Sequence, residues 1–398
     1  MSHNVVRTGD ATPGVEGSDA MQDEVWVLGA TGRTGRAIAA RLTAMGVPPV
    51  LVGRDATRLQ EAATGAGGGA RTIVAGSVAS MIAEVRRRRP AVVVNTVGPF
   101  ADTAGPIARA CLPGSHYVDL ANDVLAASAL LGLHEEAVAA GRILVTGTGF
   151  GVLATESVVM QLCQGRPVPD RVRVDAVPSV ATEAGVLGEA LAATIIGGLP
   201  AGGRRYERGR LVRTRLGGDV AHLTLPDGAR VTTASVPFGE LIAAQRASGA
   251  PFVVAASSLA PTAPAVRAIL PLATLLLSIT PLRTFAQHRL ARLRTTPQER
   301  PREHSWGHAH VRWADGTTRE GWLRTGDGMD FTSAVAAEVA HRLLKGEGRP
   351  GAHTPGALFG PELAEAVGGE FMLDEGRESS DRGEETHYSV SQNYLAVP

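Results

Sequence analysis

Residues 25–55 constrain the fold more than any other part of the chain. They read VWVLGATGRTGRAIAARL, a short connection, and then VPPVLVGRD. The apolar run Val25–Leu28 predicts a strand that ends at Gly29, and Gly32 and Gly35 follow at three-residue spacing. Residues 36–45 carry a helical pattern, with Ile38, Leu42 and Met45 on one face. A second apolar run, 50–52, stops at Gly53 and Arg54. Strand, glycine-rich turn, helix and strand form the context in which such glycines predict a phosphate site.

Each glycine has its own reason. Gly29 permits the tight turn, Gly32 lets the backbone approach a pyrophosphate, and Gly35 lets the helix pack close to the sheet. The helix N-terminus offers free N–H groups to the anion. The expected cradle is Gly29, Ala30, Thr31, Gly32, Arg33, Thr34 and Gly35, with Arg54, Arg58 and Ser77 completing the set. An acid at the tip of the second strand usually holds the ribose of NAD, whereas an arginine accommodates the 2′-phosphate of NADP. Arg54 takes that place and Asp55 lies past the turn, so NADPH is expected over NADH.

With 398 residues, the chain is too long for one typical core. Formal net charge is zero, which gives no electrostatic case for nucleic acid. Cys111 and Cys163 are the only cysteines and neither has metal-ligand spacing, so a reducing, cytoplasmic setting is expected, with no metal. Lys345 is the only lysine, and His341 stands four residues before it, so no Tyr-x-x-x-Lys pair exists. That excludes short-chain dehydrogenase chemistry, and Lys345 sits too near a helix end to serve as a Schiff base.

Strands and helices alternate onward. Strands are expected at 71–75, 91–96, 116–120 and 142–146, and helices at 78–89, 103–112 and 124–140. This is a doubly wound α/β (Rossmann) domain at 24–151, after a tail at 1–23 without the apolar core of a signal peptide. A helix at 152–164 leads into a second, α+β domain at 152–330 with a mixed, largely antiparallel sheet. Its signals are a strand at 171–177, a helix at 185–196, runs around Pro226–Asp227–Gly228, and a hairpin around 314–317. Helices over 331–373 are expected to return to the Rossmann domain, before an acidic tail at 374–398. Residues 264–282 are the most apolar stretch, but Arg267, Pro271 and Pro281 interrupt it. It reads as a buried or dimer-interface helix in a homodimer, with weak peripheral membrane contact the alternative and no transmembrane segment.

These motifs resemble the saccharopine dehydrogenase-like NAD(P)-dependent oxidoreductases. The resemblance rests on GATGRTG, LVGRD, VVVNTVGPF, HYVDLAN, ILVTGTGFG, LRTGDGMDFTSAVAAEVAHRLL and HTPGALFGPEL, in that order over most of 25–373. It implies an NADP-type Rossmann domain, a second domain closing the crevice, often paired subunits, and redox chemistry at C–N bonds, with some relatives reducing enoyl groups. Two departures stand out. Met329 occupies a place where the family commonly has tyrosine, and Ala121–Asn122–Asp123 follows a YVDL run commonly followed by Gly–Glu.

The resemblance supports Val97, Gly98 and Pro99 as cofactor wall. Tyr117, Asp119 and Asn122 are the catalytic candidates, with Tyr117 and Asp119 on the same side of their strand by alternation. Asp119 either holds a substrate amine or orients a proton donor, or else caps the next turn. Tyr117 is either a general acid or a buried tyrosine satisfied by its surroundings. Thr182–Glu183–Ala184–Gly185 precedes a predicted helix, where its N–H groups suit a carboxylate or carbonyl oxygen. His308 and His310 share a strand face, but no acid or cysteine stands at usable spacing, which favours a packed or solvated sheet face. Two functional readings remain. The first is an NADPH-dependent reductase of a small molecule, at a C=N bond before a C=C or C=O bond. The second is an NADP-binding sensor or scaffold without turnover.

Overall fold

The computed structural model describes residues 23–181, 185–186, 202–277, 279–292, 294–295 and 299–374. Six parallel strands appear where the apolar runs place them: β1 (Val25–Leu28), β2 (Val50–Gly53), β3 (Arg71–Val74), β4 (Val92–Asn95), β5 (His116–Asp119) and β6 (Ile143–Val145). The helices between them are α1 (Arg33–Ala44), α2 (Ala56–Gly65), α3 (Val78–Arg88), α4 (Phe100–Cys111), α5 (Val124–Leu131) and α6 (His134–Ala139). β1, β2 and β4 are buried along their whole length, as expected for parallel strands covered on both faces. Sheet order places β1 between β4 and β2, so the topological switch lies at the ends of β1 and β4.

The late segment does more than return helices. Strand Gly351–His353 pairs parallel with β6 and completes a seven-stranded sheet. Helix Gly328–Leu344 packs on α1, where Arg41 Nε donates to Ser333 Oγ at 2.9 Å. Strand Glu370–Leu373 then crosses to the second sheet. The helix expected over 124–140 is two helices, because the chain turns at Gly132 and Leu133 to bury both Leu130 and Leu133.

α7 (Phe150–Cys163) joins the two halves. Its N-terminus follows β6, and its body lies on the second sheet so closely that a Cβ on Gly307 would fall 2.6 Å from the Ala154 methyl. The second sheet contains β7 (Arg171–Val177), β9 (Gly203–Glu207), β10 (Arg210–Thr214), β11 (Ala221–Thr224), β12 (Arg230–Ser235), β13 (Phe252–Ser257), β15 (Ser305–Arg312) and β16 (Thr318–Thr325). Its pairing is antiparallel except for β13 with β7, which makes it the mixed, largely antiparallel sheet expected. Gly185 and Val186 begin no helix: they form β8, paired with β14 (Arg294–Thr295). The rest of that expected helix, Thr182–Glu183–Ala184 and both tails beyond residues 23 and 374 lie outside the described residues.

Residues 264–282 correct another expectation. Pro271 sits inside helix Pro264–Leu277, and Pro281 opens a second helix, Thr280–Ala291. Much of their apolar surface is exposed, so neither is a core helix of the chain. Among the described residues no single helix is long and apolar enough to cross a membrane.

Candidate active site

The loops at the C-terminal ends of the parallel strands form one edge, and the glycine turn sits at its centre. Gly29 has φ +77°, and a Cβ there would lie 2.7 Å from Thr96 Oγ1 on the β4 loop. A Cβ on Gly35 would lie 2.7 Å from the Gly29 carbonyl oxygen, so α1 can approach the turn only with glycine at that position. Gly32 is exposed and caps α1 with extended backbone, without a side-chain hydrogen bond. The first turn of α1 carries no acid. This leaves backbone donors and the positive helix end open to an anion. Ala30 is buried, Thr31 and Thr34 are half-buried, and Arg33 reaches across to donate to the Ala181 carbonyl at 3.1 Å. Arg33 also lines a cavity of about 610 Å³ between α1 and the second half.

At the tip of β2, Arg54 and Arg58 are exposed. Asp55 accepts from the Arg58 amide at 3.0 Å as the N-cap of α2. Ser77 follows β3, but its hydroxyl accepts from the Ser80 amide in a capping box. Capping α3 is the role the structure shows for Ser77. Val97, Gly98 and Pro99 are half-exposed at the end of β4. Asn95 Oδ1 accepts from the Val97 amide at 3.0 Å, and Thr103 Oγ1 donates to the Val97 carbonyl, so this wall is rigidly held.

The catalytic candidates lie on β5 and the loop that follows it. Tyr117 and Asp119 do share a side of β5, and the Tyr117 hydroxyl donates to Asp119 Oδ2 at 3.0 Å. Both are fully buried. Asp119 Oδ1 accepts from the Ala121 amide, Thr146 Oγ1 and the Gly147 amide at 3.0, 2.8 and 3.3 Å, and Asn95 Nδ2 donates to the Tyr117 oxygen at 3.0 Å. Burial, reinforced by the Asp119 charge, pushes the phenol far above its ordinary value. Burial also raises Asp119 against the pull of these donors. The pair ties the β4, β5 and β6 ends together, with both side chains engaged in the interior.

Asn122 is exposed at the same edge, and its Oδ1 accepts from the Gly239 amide at 3.2 Å. Glu240 follows, at the start of helix Glu240–Ser248, with its carboxyl against Gly151 of α7 where any Cβ would collide. Only 2% of Glu240 is exposed, and Oε2 has no hydrogen-bond partner among the described residues. Burial lifts its pKa to about 7, against the pull of its own helix amide and Asn122. Sequence reasoning passes over Glu240, because FGEL carries no motif and the crowding comes from distant segments.

On the second sheet, His308 and His310 share a face as alternation requires. The expectation that no acid joins them fails for His308, whose ring lies between Asp175 Oδ2 on β7 at 3.0 Å and Glu320 Oε1 on β16 at 2.8 Å. Burial alone would lower its pKa, but the two carboxylates raise it, and the ring stacks on Trp322 at 4.1 Å. Arg173 Nη2 donates to Asp175 Oδ1 at 2.8 Å, balancing the cluster.

This fold is shared with apo histidine-tagged saccharopine dehydrogenase (L-Glu forming) from Saccharomyces cerevisiae. The TM-score is 0.57 at 12% identity, covering 88% of this chain and 99% of that one. A probable dehydrogenase from Thermotoga maritima gives 0.42 at 11% identity over 86% and 94% of the two chains. GenD2 from gentamicin A biosynthesis, in complex with NAD, gives 0.39 at 17% identity over 92% and 95%. The fold assignment rests on the first of these. No family model matches the chain, and no curated protein matches it.

Proposed function

We propose that the chain is an NADPH-dependent reductase of a small organic substrate, acting on a C=N bond before an enoyl C=C or a carbonyl. The open N-terminus of α1 carries this reading: a glycine N-cap, no acid in the first turn, and Arg54 exposed beside it. Gly29 to Gly35 would hold the pyrophosphate, Arg54 and Arg58 the 2′-phosphate, and Val97–Gly98–Pro99 the nicotinamide half. When bound, NADPH supplies a hydride. The C=N preference draws on the family resemblance and on the fold relative's name, a saccharopine dehydrogenase.

Reduction also needs a proton. Tyr117, Asp119 and Glu240 are all buried, and Glu240, whose Oε2 has no hydrogen-bond partner among the described residues, is the acid assigned to supply it here. A carboxyl with a pKa near 7 is half protonated at neutral pH, the best compromise for a general acid. Asn122 is exposed beside it to meet the substrate, and Tyr117 and Asp119 position the loops. The burial of Tyr117 and Asp119 also favours a second reading, a sensor that binds NADPH without turnover.

Fluorescence titration with NADPH and NADH tests the cofactor. NADPH should bind at least about tenfold tighter, and Arg54→Asp should erase the preference. Equal binding of both cofactors overturns the role of Arg54, and binding of neither overturns the whole reading. NADPH oxidation across an imine, enone and carbonyl panel separates reductase from sensor. In a reductase, Glu240→Gln should lower kcat by about a hundredfold and leave NADPH affinity unchanged.

A further inference from the structure

Helices Pro264–Leu277 and Thr280–Ala291 meet at 116° and carry the largest run of exposed apolar side chains among the described residues. Ile269, Leu272 and Leu276 recur along one side of the first helix and are 61%, 58% and 45% exposed. Ile279, Leu282 and Phe285 continue the surface on the second at 49%, 43% and 65%. The other side of the first helix is anchored: Leu270 is buried, and the Arg267 carbonyl accepts from Arg215 Nη2 at 3.0 Å. Packing therefore fixes which side faces outward. Single exposed apolar residues are ordinary, but a contiguous surface of this kind marks an interaction site.

The charge pattern identifies the partner. Residues 259–298 contain no Asp or Glu, and their charged residues are Arg267, Arg283, Arg289, Arg292 and Arg294. Arg267 belongs to the anchored side, its Nε buried, whereas Arg283, Arg289 and Arg292 lie on the second helix and its end. An isologous contact with a second copy would bring this acid-free patch against itself with nothing to compensate their charge. A bilayer bearing anionic headgroups takes apolar side chains into its acyl boundary and meets arginines with phosphate. The bend and the helix lengths suit lying in that boundary rather than crossing it. We infer that this helix pair docks the protein on an anionic membrane surface, independently of the reaction it catalyses.

The test is co-flotation of the full chain with vesicles of phosphatidylcholine alone or with phosphatidylglycerol added. Binding should require phosphatidylglycerol and weaken in high salt. Arg283→Gln and Arg289→Gln should each weaken it about fivefold. The double variant Leu272→Ser/Phe285→Ser should abolish flotation, with an unchanged circular dichroism spectrum showing that it folds. Absence of flotation, or flotation indifferent to these substitutions, overturns the proposal. So does a dimer seen by light scattering that the double variant converts to monomer, which would assign the surface to a second copy.

Discussion

Glu156 and Glu240 are two buried carboxyls on either side of the α7 contact, and burial pushes both to about 7. Their surroundings are opposite. Thr354 Oγ1 and the Ala357 amide donate to Glu156 Oε1, and the Gly356 amide donates to Oε2. Glu240 Oε2 has no such donor among the described residues. Burial therefore makes an acid titrate near neutrality in either place. Hydrogen-bond satisfaction tells a carboxyl that pins a helix start from one that keeps an unpartnered oxygen.

Replacing each acid with its amide separates the two. In Glu156→Gln, whichever oxygen becomes NH₂ confronts a backbone N–H that cannot reverse. Two donors are then stranded in the interior, at a cost of about 3 kcal/mol. Urea denaturation at about pH 3.5, where the carboxyl is neutral in the folded and the unfolded chain, isolates this effect from ionisation. A loss below about 1 kcal/mol would mean that the segment after Thr354 does not depend on Glu156.

Glu240→Gln should act in the other direction. Its folded pKa, about 7, lies above the ordinary 4.5. Its stabilising contribution is therefore complete below about pH 4.5 and lost as pH rises through 7. The amide does not titrate, and its NH₂ can take the place of the unpartnered oxygen. The variant should match the parent at about pH 3.5 and exceed it by on the order of 2 kcal/mol at pH 8. Equal stability at both pH values would show that Glu240 is hydrated and the contrast with Glu156 false.

These differences mark the boundary of what the sequence can reveal. The glycine turn is legible because its geometry is enforced within seven residues, so spacing alone carries Gly29, Gly32 and Gly35. Alternation likewise pairs Tyr117 with Asp119. It cannot show that Thr146, Asn95 and Ala121 close around them from β6, β4 and the following loop. Glu240 is invisible for the same reason, since its surroundings come from Asn122 and Gly151, about ninety residues or more away in sequence. The acids beside His308 arrive through the registers of β7 and β16. Residues 264–282 show the converse, because an apolar run reads alike whether its side chains face a core or the outside.

Asp119 sharpens the comparison further, being a buried acid satisfied by donors of unequal flexibility. In Asp119→Asn, Oδ1 can keep the Ala121 amide, Thr146 hydroxyl and Gly147 amide. The new NH₂ would replace Oδ2, whose partner is the Tyr117 hydroxyl, and a hydroxyl can turn from donor to acceptor. Only the phenolic proton is left without an acceptor, so the expected loss is about 1 kcal/mol by urea denaturation at pH 5. Burial holds the native Asp119 pKa above its ordinary value, so the parent's advantage should shrink as pH rises and Asp119 ionises. NADPH affinity should stay unchanged, because no cofactor contact is assigned to this pair. A loss as large as that of Glu156→Gln would mean that the phenol cannot reorient and that Tyr117 and Asp119 form a rigid unit. A kcat loss greater than that of Glu240→Gln would return the proton to β5 and remove Glu240 from the chemistry.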